Sequence, residues 1–219
     1  MLIQPHSKLV FIGDSITDAG RDPCGEHTPG GAPGFGNGYV SQINAILQVW
    51  CPQDSLRLIN RGNSGDTIRD LAARWQSDVL DLTPDWLTVF IGVNDVWRQF
   101  DSPLRPEIAV FPEEFERTYR ELLTRTRPSL KGLVLCSPFV IEPNKADPMR
   151  ARIDEYGEIA RNLAQDFNAV FVDVQAAFDG LCAHLHPMSI AWDRIHPGPH
   201  GHMAIARAWL HAMQFDGFC

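Results

Sequence analysis

Leu9-Val10-Phe11-Ile12-Gly13-Asp14-Ser15-Ile16-Thr17 sets an unbroken apolar run against a glycine turn that delivers a hydroxyl-bearing residue. The run is too short for a helix and lacks the alternation of a half-exposed strand, so it reads as a strand buried on both faces. Similar apolar runs recur at 56–60, 86–92, 132–139 and 169–174. Helical patterns lie between them. Val40, Ile43, Ile46 and Leu47 share one face of 39–50, and Asp66 is placed to cap a helix over 67–82. Pro112 suits the first turn ahead of 113–127, Asp147 can cap a helix that starts at Pro148 and runs towards Asn168, and 200–213 closes the chain. Strands that alternate with helices imply an α/β protein whose parallel sheet is covered on both faces. No repeat, linker or break in composition divides 1–219, so one domain is expected. Right-handed crossovers place every strand's C-terminal end on one edge, where ligands bind in doubly wound sheets.

Composition narrows the class of partner. The chain has 219 residues, 44% hydrophobic and 21% charged, with a formal net charge of -8. These are the proportions of a soluble globular protein rather than a disordered one. The acidic balance argues against nucleic acid, whose phosphates require a basic face, and against anionic lipid. Five scattered cysteines (Cys24, Cys51, Cys136, Cys182 and Cys219) include no C-x-x-C pair, so neither a disulfide framework nor a zinc knuckle is indicated. No signal sequence opens the chain and no stretch is apolar enough to span a bilayer. A reduced, cytoplasmic protein is the expectation.

Four short blocks carry the chemistry. Gly13-Asp14-Ser15-Ile16-Thr17, Arg61-Gly62-Asn63-Ser64-Gly65-Asp66 and Gly92-Val93-Asn94-Asp95 each follow an apolar run, and Trp192-Asp193-Arg194-Ile195-His196-Pro197 lies near the C-terminus. Each alone has an ordinary reading as a turn or helix cap. Together they supply every role of acyl transfer. Ser15 is the candidate nucleophile, and His196 the base that takes its proton and returns it to the leaving alcohol. Asp193, three residues before the histidine, can accept from the imidazole and fix its tautomer. Oxyanion donors are the backbone N–H groups of Ser15 and Gly65 and the side-chain amide of Asn94. An asparagine brings donors there, where an aspartate would bring a repelling charge.

Phe11-Ile12-Gly13-Asp14-Ser15, Asn63-Ser64-Gly65, Gly92-Val93-Asn94-Asp95 and Asp193-Arg194-Ile195-His196 resemble, in order, the four blocks of the SGNH hydrolases, also called GDSL-type esterases. The signature's leucine after the serine is Ile16 here. The resemblance implies a flavodoxin-like three-layer α/β/α sandwich with a five-stranded parallel sheet in the order 2-1-3-4-5. A narrower resemblance to intracellular acetylxylan esterases runs through residues 92–99 and 192–197, Ser137-Pro138-Phe139 and Asp147-Pro148-Met149-Arg150. It implies a serine esterase that removes O-acetyl groups from small carbohydrate esters such as acetylated xylo-oligosaccharides, with no cofactor and a homo-oligomeric assembly. Other short-chain acyl esters are the alternative substrates.

Several residues admit a second reading. Trp97 and Trp192 flank the blocks and either could stack on a sugar ring or fill core, whereas Trp75, Trp86 and Trp209 fall inside element patterns and read as core. Asp193, His196, His200 and His202 have spacings that metals use, yet Pro197 and Pro199 break the segment, and a surface cluster at a helix start is the simpler expectation. No metal is therefore assigned. Residues 22–38 are rich in glycine and proline but carry no phosphate-binding signature, which leaves a mobile loop roofing the crevice. Asp14 and Asp18 read as turn and cap carboxylates. The absence of G-x-S-x-G argues against an α/β-hydrolase.

Overall fold

The opening apolar run forms strand β1 (Lys8–Gly13), which lies between β2 (Arg57–Gly62) and β3 (Trp86–Phe90), with β4 (Gly132–Cys136) and β5 (Val170–Val172) beyond. The computed structural model describes residues 1–27 and 32–217; Cys219 and the middle of the glycine-rich 22–38 segment lie outside them. All four pairings are parallel, in the order β2-β1-β3-β4-β5. The chain steps from β1 to β2 and then back across β1 to β3. The direction of winding therefore reverses between β1 and β3, the position where an open α/β sheet forms its crevice. Gly13 aligns with Gly62 on one side and with Phe90 on the other, so three strands end level with one another.

The helices are α1 (Ser15–Asp18), α2 (Ala32–Phe35), α3 (Tyr39–Trp50), α4 (Ile68–Trp75), α5 (Val93–Asp101), α6 (Pro112–Thr126), α7 (Pro148–Asp166), α8 (Val174–Cys182), α9 (Pro187–Ile190) and α10 (Pro199–Ala212). Helices α3 and α8 pack on α10, while α6 packs on α4 and α7, which gives a layer on each face of the sheet. Alternation along β1 serves the two layers, and Phe11 meets Tyr39 of α3 and Trp209 of α10 with ring centroids 6.0 and 5.4 Å away. Trp75, Trp86 and Trp209 are all core residues, as their patterns suggest.

The structure departs from the sequence expectations in a few places. Thr67, not Asp66, caps α4, with its N–H and hydroxyl both donating to the Asp70 carboxylate at 2.9 and 2.7 Å. The helix expected over 67–82 ends at Trp75 and widens into a π turn, Gln76–Leu80, closed by Asp81 N–H to Gln76 C=O. Strands β3 and β4 stop short of the apolar runs that contain them, because Ile91 and Phe139 are buried in the turns that leave the sheet. Residues 93–101 form α5, and Val93, Val96, Trp97 and Phe100 show the i, i+3, i+4, i+7 spacing that foretells it.

Gly62 closes β2 where α1 crosses it. A Cβ there would lie 2.0 Å from Asp18 N and 2.5 Å from Thr17 C, so any side chain drives α1 off the sheet. Gly180, inside α8, has no atom within 4 Å of its Cβ position. Gly62→Ala is therefore expected to lower stability by about 1–3 kcal/mol through overpacking. Gly180→Ala is expected to raise it by about 0.5–1 kcal/mol through helix propensity. Urea titrations of both variants beside the parent read the two signs.

Candidate active site

Asp14 ends the turn after β1 and caps α1, its carboxylate accepting from Ile16 N–H at 2.9 Å. Ser15 is thus the first helical residue, whose N–H has no carbonyl one turn earlier in the helix. Its short helix is tied down from below. Asn60 Nδ2 donates to Thr17 O at 2.7 Å and to Phe35 O at 3.0 Å, while Asn60 Oδ1 accepts from Gly62 N–H at 2.8 Å. Thr17 and Tyr39 share a hydroxyl contact of 3.1 Å beneath it.

Ser15 Oγ lies 2.8 Å from His196 Nε2, although 181 residues separate them. His196 Nδ1 lies 2.6 Å from Asp193 Oδ2. The other carboxylate oxygen, Oδ1, accepts from the backbone N–H of Ile195 at 3.0 Å and of His196 at 2.8 Å. Arg194 takes up a left-handed conformation with φ 69°, which curls the short loop so that the carboxylate faces the ring. Burial pushes the Asp193 carboxyl up, but the hydrogen bonds from His196 and Ile195 outweigh it and hold the group below its ordinary range. An ionised Asp193 accepts a hydrogen bond from Nδ1–H, which leaves Nε2 free to accept from the serine hydroxyl.

The candidate oxyanion groups meet at the same edge. Asn63 N–H donates to Gly13 O at 3.0 Å, folding the turn after β2 over the end of β1. Within that turn Gly65 has φ +90° and open space at its Cβ position, so its backbone faces an unfilled region. Asn94, in the first turn of α5, is buried and donates from Nδ2 to Asp66 O at 2.9 Å. Arg98 Nη2 approaches the amide oxygen at 3.5 Å, and the two contacts orient the amide with a second Nδ2 hydrogen to spare. The structure therefore joins Ser15, His196 and Asp193 in direct contact and places Gly65 and Asn94 on either side of Asp66.

The two tryptophans separate. Trp97 packs edge-on against His196 with ring centroids 5.8 Å apart, and the Arg98 guanidinium lies 5.0 Å from its ring centre. Trp192 is 81% exposed beside Asp193. The histidines do not converge. His200 Nε2 lies 2.9 Å from Ser189 O, and among the described residues no three His, Cys, Asp or Glu side chains are grouped to hold a metal ion. His202 is half-buried: it lies against Gly38, and burial first, with His196 nearby second, pushes its pKa down to about 4. In the glycine-rich segment, residues 25–27 form a helical turn and α2 follows the undescribed part. Asn60, Asp66, Arg74 and Asp95 also hold the site, and sequence patterning marked none of them for that role.

Residues 11–204 match the model of the GDSL-like lipase/acylhydrolase family. The chain is 46% identical over 217 residues to an acetylxylan esterase of Geobacillus stearothermophilus, covering 99% of this chain and 98% of that protein. A crystal structure of an acetylxylan esterase from the same organism superposes with a TM-score of 0.95 at 44% identity, over 99% of this chain and 98% of that one. An alpha/beta hydrolase enzyme from the metagenome of Lake Arreo, Spain, superposes with a TM-score of 0.94 at 52% identity, over 98% of both chains.

Asp95, next to Asn94, is fully buried. Its Oδ1 accepts from Ile68 N–H at 2.9 Å and its Oδ2 has no partner. Burial raises its pKa from 3.8 to about 7. A carboxyl raised in the folded state favours folding while neutral, and that advantage is lost as pH climbs from about 4 to about 7. Asp95→Asn removes the titration. Between pH 5 and 8 the parent's Tm is expected to fall about 5 °C further than the variant's, as read by thermal melts across that range.

Proposed function

The chain belongs to the GDSL-like lipase/acylhydrolase family, and from that premise we propose a serine esterase that removes O-acetyl groups from small carbohydrate esters, acetylated xylo-oligosaccharides foremost. It is a carboxylic ester hydrolase. The observation that carries the mechanism is the relay of 2.8 and 2.6 Å from Ser15 through His196 to Asp193 at the edge where Gly65 and Asn94 also lie. Ser15 Oγ attacks the acetyl carbonyl while His196 Nε2 takes its proton, and Asp193 stabilises the imidazolium. The carbonyl oxygen becomes an alkoxide that accepts from Ser15 N–H, Gly65 N–H and Asn94 Nδ2. Collapse breaks the ester C–O bond, and His196 returns its proton to the departing sugar hydroxyl. Water, deprotonated by His196, then attacks the acyl-serine, and collapse breaks the bond from the acyl carbon to Ser15 Oγ, releasing acetate as His196 returns that proton to Ser15 Oγ. This sequence of steps needs no cofactor.

The similarity to an acetylxylan esterase over nearly the whole chain supports the substrate class. Structures of catalytic mutants of the Geobacillus enzyme replace a serine, an aspartate and a histidine by alanine, the three residue types of the relay here. Trp192, exposed beside Asp193, offers an apolar ring face to a sugar, and Trp97 packs edge-on against the imidazole. The cysteines Cys24, Cys51, Cys136 and Cys182 are free, which suits a cytoplasmic setting, and no helix of the described residues is long and apolar enough to cross a membrane. A homo-oligomer, implied by the family resemblance, belongs to the same proposal.

Ser15→Ala is expected to lower kcat on short acyl esters by about 10⁴-fold or more, with the fold unchanged by circular dichroism. Substantial retained turnover would remove the serine mechanism. On a substrate panel, acetylated xylo-oligosaccharides are expected to give higher kcat/KM than long-chain acyl esters; the reverse order would replace the sugar assignment with a lipase-like one.

A further inference from the structure

Arg74 projects from α4 beneath the turn that carries Gly65, with its side chain 18% exposed. Its guanidinium is used almost completely. Nε donates to Asp66 Oδ2 at 2.6 Å, and Nη2 donates to Gly13 O at 3.0 Å. Nη1 donates to Arg61 O at 2.8 Å and to Asp78 Oδ2 at 2.7 Å. Gly13 is the last residue of β1, two before Ser15, and Arg61 is the penultimate residue of β2. Asp66 follows Gly65 directly, and its own carbonyl accepts from Asn94 Nδ2 at 2.9 Å. Asp66 Oδ1 in turn accepts from Asn63 Nδ2 at 2.6 Å. One planar, rigid cation thus reaches the supports of all three candidate oxyanion donors.

We propose that Arg74 is a positioning residue for the esterase reaction: through Gly13, Arg61 and Asp66 it sets the mutual geometry of the Ser15 N–H, the Gly65 N–H and the Asn94 amide. It touches neither the substrate nor the reacting atoms. The proposal rests on the reading of Ser15 as nucleophile. The physical need is plain, because oxyanion donors act only when aimed within a few tenths of an ångström of where the alkoxide forms. The turn from Asn63 to Asp66 belongs to no helix or strand, and the one backbone bond that closes it, Asp66 N–H to Asn63 C=O, is long at 3.3 Å. Arg74 supplies directed bonds from a helix packed against the core, and the largely buried ion pair with Asp66, whose side chain is 6% exposed, loses little to solvent screening.

A brace that only kept the protein folded would change stability and leave the chemistry of the folded fraction alone. Aimed donors change the transition state. Folded Arg74→Ala is therefore expected to lose about 100-fold in kcat on a short acyl ester while KM moves less than about threefold. The inhibition constant of an arylboronic acid, which adds to the serine as a tetrahedral oxyanion mimic, is expected to rise by about the same factor as kcat falls. Arg74→Lys is expected to recover less than a tenth of the parent's kcat, because an ammonium cannot form the four directed bonds of the fork. Should Arg74→Ala not fold, Asp66→Asn serves in its place: it breaks the ion pair, keeps the carbonyl that holds Asn94, and is expected to lose about tenfold in kcat with a matching boronate shift. Parent-like kcat in the folded variant, or a loss confined to KM with boronate affinity unchanged, overturns the proposal. Ser15→Ala run alongside separates the two readings. An inactive Ser15→Ala with a normal Arg74→Ala defeats only the clamp, whereas an active Ser15→Ala defeats the mechanism on which it rests.

Discussion

The parallel register that ends β1, β2 and β3 level with one another is the constraint on which the rest of this protein depends. A parallel sheet fixes where chain segments emerge, and the residues that emerge here are Ser15, Gly65 and Asn94. Each follows its strand by only a few residues, so little freedom is left between the rigid sheet and the candidate catalytic groups. His196 and Asp193 arrive differently. They sit in a loop between α9 and α10 that no strand delivers, and the loop keeps its shape by folding its own N–H groups onto the Asp193 carboxylate. The site is therefore an encounter between an edge set by backbone pairing and a loop set by local side-chain hydrogen bonds.

Polar groups are buried beneath this edge at some cost in stability. Asp14, fully buried, has its pKa raised from 3.8 to about 7, chiefly by loss of solvent, and Asp95 stands alike. Asp66 is raised for the same first reason, though Asn63 and Arg74 lower it in part. Each of these carboxyls holds a backbone or side-chain donor that belongs to the site: Ile16 N–H beside Ser15, Ile68 N–H at the start of α4, and the Arg74 guanidinium. Well-packed apolar residues would serve stability better, but they could not accept hydrogen bonds from the strand-end turns.

Much of the architecture was legible in the sequence because strands buried on both faces leave unbroken apolar runs, and glycines and small polar residues mark where they stop. The strand order and the three layers agree with what the family resemblance implied. The four blocks also announced the groups that meet, since serine, asparagine and an Asp-x-x-His spacing each bring a particular donor or acceptor. Other features left no local trace. Asp66 looked like a cap, but the capping duty falls to Thr67, and the Asp66 carboxylate is turned inward to Arg74. Arg74 itself reads as one more charged residue on an amphipathic helix, because its partners Gly13 and Arg61 are distant in sequence. The same blindness affects Trp97 and Trp192: both adjoin the blocks, yet packing puts one against the imidazole and leaves the other facing solvent. His202, expected at the surface, is half-buried against Gly38.

The central claim is that three strand ends and one loop converge on a single carbonyl carbon. A crystal structure of the protein after reaction with a small alkyl fluorophosphonate tests it most directly. The account expects phosphorus bonded to Ser15 Oγ, with its phosphoryl oxygen within about 3 Å of Ser15 N, Gly65 N and Asn94 Nδ2 together. Phosphorus on any other residue, or a phosphoryl oxygen turned to solvent away from those three donors, would contradict it.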